Sequence, residues 1–399
     1  MQAFNRAIST PITSSASFFY ENSQEAEDIF SGKCAQPLYS RMGNPTSIQL
    51  EQKLSMMEKG IGAVATSSGM GAITMVITSL CSQDDEIVAI GGLFGGSYAL
   101  MSQTLPRFGI KTKFLTVDDL DTIESSITPK TKVIFCESVG NPNLRLPDLE
   151  AIGKIAIKHN VAFIVDNTIT PIVVKPFEHG ADIVVYSTTK IISGNSSALG
   201  GIAIFNEVTN NDKFHTTRYE FLVPFINKLK GKALIGCAKK RALRDFGMSA
   251  NAHSSYQTLL GLETLELRNH CINASCEIVA KALKIEGINV NHPSLEKNQD
   301  KKLYDEKYQN GCGSMITIDM GTQEKAFKFL DNSNLLTLTA NIGDSRTLGL
   351  HMSSTIYQDF TPKEKEFLGI TDGLIRVSIG LEKPQDIIDD LLNCYKLSK

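Results

Sequence analysis

The 399-residue chain is 42% hydrophobic and carries a formal net charge of −3 at pH 7, a composition that gives a substantial core and two or three domains. Its charges are interspersed and its nearest basic patch, Lys239–Arg241, is short, which excludes a nucleic-acid-binding role. No apolar run approaches the ~18 residues of a membrane span, no His and Cys cluster suggests a metal, and the N-terminus lacks a signal peptide's apolar core, so we expect a cytoplasmic protein.

The chain divides into three parts. Residues 1–45 are rich in Ser, Thr and Asn with little periodicity, which predicts an extended N-terminal arm that needs a partner surface. In residues 46–241, helical patterns alternate with β-branched runs, which predicts a large α/β domain with a mostly parallel sheet. The predicted helices are Ser47–Glu58, Ala72–Leu80 and Leu149–His159, and the predicted strands are Glu86–Ile90, Val133–Cys136, Ala162–Val165, Ile183–Tyr186 and Ile202–Phe205.

The third part, residues 242–399, reads as a smaller α+β domain. Its pattern predicts a long helix, Ile272–Glu286, strands at Met315–Asp319 and Leu374–Ile379, and a closing helix, Asp386–Tyr395.

Reactive side chains follow two of the predicted strands of the large domain. Asp166 ends one apolar run, Ser187 follows the next, and Thr189 and Lys190 come directly after it. The carboxyl ends of parallel strands form the ligand-binding edge of an open α/β sheet, so we expect these groups to meet there. In an extended segment Ser187 and Thr189 would face the same side.

A lysine at such an edge suggests a Schiff-base site. Burial lowers the pKa of an amine from ~10.4, and pyridoxal 5′-phosphate (PLP) is the cofactor that uses such a lysine, together with an acid for its ring nitrogen and donors for its phosphate. Asp166 is the candidate acid, and Ser187 and Thr189 are candidate phosphate donors. A second anion site is predicted at Ser67–Gly71, where a short apolar run gives way to a helix.

Simpler interpretations of these residues stay open at this point. Lys190 could be a solvated charge, Asp166 an N-cap, and the Ser67–Gly71 segment an ordinary strand-to-helix turn. Ser187-x-x-Lys190 also matches a Ser–Lys hydrolase signature, although the companion motifs are absent.

Several further motifs resemble the PLP enzymes of cysteine and methionine metabolism, which include cystathionine synthases and lyases, methionine gamma-lyase and O-acetylhomoserine sulfhydrylase. The resemblance covers nearly the whole chain and implies the fold type I architecture of PLP-dependent transferases. It rests on the segments Tyr39-Ser40-Arg41, Asn44-Pro45-Thr46, Ser68-Gly69-Met70, Glu137 with Asn141-Pro142, and Leu374 to Gly380.

The resemblance also implies roles for individual residues. Lys190 is the Schiff-base lysine and Asp166 the partner of the ring nitrogen, while Asn141 binds the ring hydroxyl and contacts substrate. The phosphate is held by Ser68, Gly69, Met70, Ser187 and Thr189, and by Tyr39 and Arg41 of a neighbouring subunit. Arg376 clamps the substrate carboxylate, with Ser354 as a further substrate contact.

Three segments favour the sulfhydrylase branch of the family: Asn341 to Leu348, Arg244 to Leu265, and the loop from His292 to Gly313. Phe94 stands where most relatives carry a tyrosine that stacks on the cofactor, so this chain keeps the stacking surface but lacks the phenol, a candidate acid for protonating the leaving group.

The resemblance implies a PLP-dependent transferase of methionine biosynthesis that performs γ-replacement on O-acetyl-L-homoserine. Composition adds the expectation of a cytoplasmic protein with no metal, nucleic acid or membrane partner. The family implies a homotetramer of active-site-sharing dimers. The sulfur donor stays open between sulfide, a small thiol and a sulfur-carrier protein. Alternatives are a cystathionine gamma-synthase, a methionine or cystathionine gamma-lyase, and, more distantly, a noncatalytic scaffold or carrier.

Overall fold

A computed structural model describes residues 7–34, 36–209 and 213–399. Its strands are β1 (Gly62–Thr66), β2 (Glu86–Ile90), β3 (Lys111–Leu115), β4 (Thr131–Glu137), β5 (Ala162–Asp166), β6 (Ile183–Tyr186), β7 (Gly201–Phe205), β8 (Val290–Asn291), β9 (Met315–Asp319), β10 (Thr337–Leu338), β11 (Leu348–His351) and β12 (Leu374–Ser378).

The α-helices are α1 (Ser23–Ser31), α2 (Pro45–Glu58), α3 (Gly69–Leu80), α4 (Gly95–Ala99), α5 (Leu120–Ser125), α6 (Leu149–Lys158), α7 (Val223–Leu229), α8 (Ala233–Ala238), α9 (Arg244–Phe246), α10 (Ala252–Leu262), α11 (Leu265–Ile285), α12 (Lys301–Lys307), α13 (Gln323–Asp331), α14 (Pro362–Leu368) and α15 (Pro384–Leu397). Within the described residues, no helix is long and apolar enough to span a bilayer.

The larger sheet has seven strands in the order β1-β7-β6-β5-β4-β2-β3. β7 is antiparallel to both of its neighbours, whereas β2 to β6 are parallel to one another. β1 therefore runs in the same direction as β2 to β6. Six strands end at one edge of the sheet, and β7 begins there, so the segments that follow or precede these ends lie close together.

Both faces of this sheet are buried, which is typical of parallel sheets covered by helices. Along β5, Ile164 packs into the core on one face, while Phe163 and Val165 pack into the core on the other. β6 alternates in the same way, with Ile183 and Val185 opposite Val184. Packing on both faces holds these short strands in place, and this fixes the positions of the polar residues that follow them.

The second sheet has five strands in the order β10-β11-β12-β9-β8 and is largely antiparallel. Ile375 and Val377 of β12 pack in a core shared with α11, α13 and α15. Arg376 lies between them, and because side chains alternate along a strand it projects from the opposite face. The pairing of β12 with β9 and β11 thus aims one buried arginine away from the helical layer.

The sequence predicted most of these elements within a few residues. The arm is not extended throughout, because α1 forms in it with the Asn22 side chain as N-cap and Gly32, at φ 78°, as C-cap. β3 was not predicted, since alternate lysines leave it half exposed. The long helix α11 begins at Leu265, seven residues before the predicted start. The sequence pattern did not show these first turns because the buried polar residue Asn269 interrupts the apolar periodicity. The domain limits at residues 45 and 241 stay predictions.

Candidate active site

A cavity of about 210 Å³ opens at the edge where the strands of the larger sheet end. It is lined by Ser68, Gly69, Met70, Ile73, Phe94, Glu137, Asn141, Asp166, Thr168, Ile169, Ser187, Thr189, Lys190, Leu199, Ala340, Ile342 and Arg376. Ten predicted site residues are among them: Ser68, Gly69, Met70, Phe94, Asn141, Asp166, Ser187, Thr189, Lys190 and Arg376. The structure brings these residues together, and their individual roles stay predictions.

One end of the cavity is formed by the start of α3. The Ser68 side chain caps the helix by accepting the Gly71 N–H at 3.0 Å, while the N–H groups of Gly69 and Met70 lie in the first turn, where a helix offers no internal acceptor. A Cβ on Gly69 would lie 2.6 Å from that of Ser187, and one on Gly201 would lie 2.1 Å from the Ser68 carbonyl oxygen. Glycine at both positions lets this turn approach β6 and β7.

The segment after β6 differs from the prediction. Residues 188–190 form a turn, with the Lys190 N–H donating to the Ser187 carbonyl at 3.2 Å, so the segment is not extended. Ser187 and Thr189 nevertheless both line the cavity. The Thr189 hydroxyl accepts the Gly200 N–H at 3.0 Å, which ties the turn to the residues that precede β7.

Lys190 carries the amine of the site. Its Nζ donates to Oδ1 of Asn341 at 2.5 Å. Burial, and then the nearby positive charge of Arg376, lower the pKa of Lys190 to about 8. At neutral pH a larger share of this amine is therefore unprotonated and nucleophilic than for an exposed lysine.

Two carboxyl groups lie side by side, because Asp166 at the end of β5 pairs with Glu137 at the end of β4. Oδ1 of Asp166 accepts the Thr168 N–H at 3.0 Å and the Thr168 hydroxyl at 2.6 Å, but the next residues form a turn and not a helix, so Asp166 is not an N-cap. Burial raises the pKa of Asp166 to about 6 despite these hydrogen bonds. Burial and the charge of Asp166 raise the pKa of Glu137 well above its usual value, and Glu137 accepts the Phe94 N–H at 2.7 Å.

Arg376 is only 2% exposed and forms the opposite wall. Its guanidinium donates to Oδ1 of Asn141 at 3.1 Å and to the carbonyl of Ala340 at 3.1 Å. Burial lowers the pKa of Arg376 to about 10, which leaves it a cation at neutral pH. The arrangement gives a fixed planar donor for a carboxylate.

Three predicted residues lie outside the cavity lining. Tyr39 is 44% exposed, with the Arg41 guanidinium 5.6 Å from its ring centroid. Arg41 donates to the Arg244 carbonyl at 2.5 Å, so within one chain it binds α9 and not the cavity. The Ser354 hydroxyl lies 2.7 Å from Nδ1 of His351, whose Nε2 lies 2.8 Å from the Asp372 carbonyl. That carbonyl accepts the Nε2 proton, so Ser354 donates to Nδ1 and its predicted substrate contact gains no support.

Sequence reasoning missed two polar residues of the cavity, Glu137 and Thr168, as members of the site. The strand-end rule that identified Asp166 applies equally to Glu137, which ends the neighbouring strand. The contact between Asn341 and Lys190 had no local signal, since 151 residues separate the two positions.

The cavity suits PLP in the chemistry of its walls. It combines a helix start bordered by hydroxyls, an acid of raised pKa, an aromatic side chain, and an amine of lowered pKa. A family model described as Cys/Met metabolism PLP-dependent enzyme matches residues 2–396. The chain belongs to this family. The predicted cofactor and fold class are thereby confirmed, and the noncatalytic alternative falls away.

Individual relatives are named for different reactions. The chain is 33% identical over 413 residues to the O-acetyl-L-homoserine sulfhydrylase of Leptospira meyeri, covering 98% of this chain and 92% of the relative. It is 36% identical over 392 residues to the L-methionine gamma-lyase of Fusobacterium nucleatum subsp. polymorphum, covering 96% and 92%. Identity alone therefore does not choose between replacement and elimination.

A solved structure extends the likeness to the whole fold. The candidate O-acetylhomoserine (thiol)-lyase of Campylobacter jejuni matches with a TM-score of 0.91 at 33% identity, covering 98% of this chain and 96% of that chain. That structure contains N′-pyridoxyl-lysine-5′-monophosphate. In this PLP-dependent enzyme, Lys190 lies in a turn that lines the same cavity as the start of α3, and its role as the cofactor-bearing lysine stays a prediction.

The raised pKa of Asp166 predicts a pH-dependent stability difference. The folded Asp166 keeps its proton to about pH 6, whereas the unfolded carboxyl ionises near its usual value of 3.8. The cofactor-free protein should therefore lose stability as the pH rises from 4 to 6. Asp166→Asn removes this loss, and we expect the variant to gain on the order of 2 kcal/mol relative to the parent over that range, measured by urea unfolding.

The control for this prediction is Asp118→Asn. A hydrogen bond from Arg145 lowers the pKa of Asp118 below its usual value of 3.8, so the stability that this carboxylate contributes is lost only at lower pH, and the difference between that variant and the parent should change little from pH 4 to 7. A constant difference between Asp166→Asn and the parent from pH 4 to 7 would contradict the assigned burial of this acid.

Proposed function

We propose that this enzyme catalyses γ-replacement: O-acetyl-L-homoserine and sulfide, or a small thiol, give L-homocysteine or methionine and acetate. The observation that carries the proposal is Phe94 at the cavity wall, where no tyrosine lines the cavity within the described residues. An acetate leaving group, whose conjugate acid has a pKa near ~4, departs without a proton, whereas a thiolate, with a thiol pKa of ~8.5, benefits from an acid. The cavity is thus better suited to expel a carboxylate.

Each wall of the cavity has a defined part in this reaction. Arg376 binds the substrate carboxylate, with Asn141 holding the guanidinium in place at 3.1 Å. Lys190 takes the proton from the α-carbon and moves it to neighbouring positions, as its lowered pKa permits. Asp166 would hold the cofactor through its ring nitrogen, and Phe94 would offer an aromatic surface to its ring. Bound PLP supplies the sink for the electrons released at the α-carbon.

The phosphate would be held by one set of hydrogen-bond donors, made of backbone N–H groups and hydroxyls. It consists of Ser68, Gly69, Met70, Ser187 and Thr189. We infer that Tyr39 and Arg41 of a neighbouring subunit complete it, since both lie outside the cavity of their own chain. The arm also exposes Phe19 by 68% and Phe30 by 70%, which favours a covering subunit. On this basis we propose a homotetramer built from dimers that share active sites.

Location and sulfur donor are also part of the proposal. All eight cysteines are free thiols, which favours a reducing compartment and so the cytoplasm. The donor is sulfide or a small thiol, and a sulfur-carrier protein is a further source that the cavity does not distinguish.

A second candidate reaction is γ-elimination from methionine, which the 36% identity to a methionine gamma-lyase favours. A single experiment separates it from the first. Purified protein loaded with PLP should convert O-acetyl-L-homoserine and sulfide to homocysteine at least ten times faster than it releases α-ketobutyrate from methionine or cystathionine. Lys190→Ala, the control for background chemistry, should lose essentially all turnover of each substrate. Faster elimination from methionine would reverse the assignment.

Phe94→Tyr should raise elimination selectively. A phenol restored at this wall can protonate a departing thiolate, so we expect methionine elimination to rise roughly tenfold, while γ-replacement of acetate changes less than about threefold. Steady-state kcat/KM for both substrates measures the effect. Phe94→Leu is the control, because it removes the stacking ring without adding a phenol. Equal behaviour of the two variants in elimination would show that the phenol is irrelevant.

Sharing of active sites predicts complementation between two inactive variants. Arg41→Ala and Lys190→Ala each disable every site when expressed alone. In a co-expressed mixture, half of the randomly formed dimers are mixed, and each mixed dimer has one site with both residues intact. We expect about a quarter of the parent activity, together with a tetramer mass by light scattering. Activity no higher than that of the separate variants would contradict the shared site.

A further inference from the structure

A chain of hydrogen bonds extends from the Lys190 amine to a buried carboxylate. Lys190 Nζ donates to Oδ1 of Asn341 at 2.5 Å, and Nδ2 of Asn341 donates to the Ser196 hydroxyl oxygen at 2.8 Å. The Ser196 hydroxyl in turn donates to Oδ2 of Asp344 at 2.5 Å. Asp344, only 1% exposed, accepts two side-chain hydrogen bonds from Arg346, at 2.8 and 3.0 Å.

The direction of each hydrogen bond in this chain is fixed. An ionised carboxylate only accepts, so the Ser196 proton points to Asp344 and its oxygen is left to accept from Asn341. The Asn341 amide must then turn its NH₂ group to Ser196 and its oxygen to Lys190. Without Ser196 as an acceptor, only the charged ammonium would hold the amide oxygen in this orientation, and a neutral amine, which can also accept, would let the amide turn.

The charge of Asp344 supports this direction. Burial alone would raise the pKa of Asp344, but hydrogen bonds from Arg346 and Ser196 outweigh it, and the net pKa lies below its usual value. Asp344 therefore stays ionised at neutral pH. The acceptor end of the chain is permanent under conditions in which the enzyme would work.

The backbone conformation of Ser196 also indicates that its surroundings hold this residue in place. Its φ of 57° is left-handed, a region that L-residues other than Asn, Asp and Gly seldom adopt. Such a conformation persists where the surroundings hold it, and it is typical of functional sites. A main-chain hydrogen bond of 2.9 Å from the Ser345 N–H to the Gly194 carbonyl also joins this loop to the segment that carries Asp344.

We propose that Ser196, held by Asp344, is a positioning residue that fixes the Asn341 amide as a directed acceptor for the Lys190 amine. The inference rests on the proposed role of Lys190 but not on the identity of the substrate. Asn341 also offers its main-chain carbonyl to the Arg376 guanidinium at 3.4 Å. The hydrogen bonds from Asp344 through Ser196 and Asn341 to Lys190, called the relay below, thus give the Lys190 amine a fixed acceptor next to Arg376 whenever the amine is not bonded to the cofactor.

The other charged groups around Lys190 set the background against which this acceptor acts. Arg376, Asp166 and Glu137 line the same cavity, and Arg376 is the neighbour whose charge lowers the pKa of Lys190 after burial. An acceptor that faces the ammonium favours the charged form and so opposes both effects. Removing the orientation of that acceptor should therefore lower the pKa of Lys190 further.

The experiment measures the reactivity of Lys190 in cofactor-free, full-length protein. Samples between pH 6 and 10 are pulsed with an amine-reactive N-hydroxysuccinimide ester, and modification of Lys190 is quantified by peptide mass spectrometry relative to Lys302, whose side chain is 88% exposed. The parent should show a midpoint near its pKa of about 8. Ser196→Ala and Ser196→Gly should both lower that midpoint by roughly half a unit to one unit.

The two variants protect the result against misfolding, because glycine adopts a positive φ without strain. Ser197→Ala is the matched control: its hydroxyl binds Asn195 at 2.6 Å, outside the relay, and its midpoint should equal that of the parent. In an Asn341→Ala background, adding Ser196→Ala should cause no further shift, since the effect travels through the amide.

Two results would overturn the proposal: parent-like midpoints for both Ser196 variants, or an undiminished Ser196→Ala shift in the Asn341→Ala background. The proposed function fails separately, through the substrate comparison with the parent enzyme. A shifted midpoint in an enzyme that prefers methionine would keep the relay and discard the γ-replacement assignment. A parent-like midpoint in an enzyme that uses O-acetyl-L-homoserine would do the reverse.

Discussion

The site depends on two cations that share one cavity, Arg376, which is buried, and Lys190, which is partly buried. Lys190 and Arg376 repel each other, and burial disfavours the charge on both. The Lys190 amine has the lower pKa of the two, so it loses its proton first as the pH rises. Asn341 accepts from both cations, through its side-chain oxygen at 2.5 Å and its main-chain carbonyl at 3.4 Å. One residue thereby sets the spacing between Arg376, the proposed carboxylate-binding group, and Lys190, the proposed proton-transferring group.

The fold produces this pairing from two sheets, one of which supplies a residue that follows a strand end and the other a residue from the middle of a strand. The larger sheet contributes Lys190 because six strands end at one edge, where polar residues follow buried runs whose alternation fixes their register. The second sheet contributes Arg376 from the middle of β12, where strand alternation places it opposite the helical core. A one-residue slip in β12 would bury Ile375 in the cavity and send the arginine into the helices.

Much of this arrangement was predictable from the chain, for physical reasons that also explain the gaps. Asp166 and Lys190 were found because their strands are continuous apolar runs and the rule for strand ends is local. Glu137 was accessible by the same rule. The turn at residues 188–190 was not, because a Ser-Thr-Thr-Lys run is compatible with both extended and turn backbone. The relay through Asn341 and Ser196 joins positions 145 residues apart, and no periodicity in the sequence can indicate a contact at that separation.

The choice between replacement and elimination follows from what happens to the proton that Lys190 takes. An amine with a pKa of about 8 is a competent base near neutral pH and, once protonated, a competent acid for carbon. If the leaving group is a thiolate, that proton is needed at sulfur while the amine is still needed at carbon, so a second acid is an advantage. If the leaving group is a carboxylate, the lysine alone suffices. The proposed γ-replacement therefore follows from a cavity with Phe94 at its aromatic wall and one directed amine, which suits a leaving group that departs unprotonated.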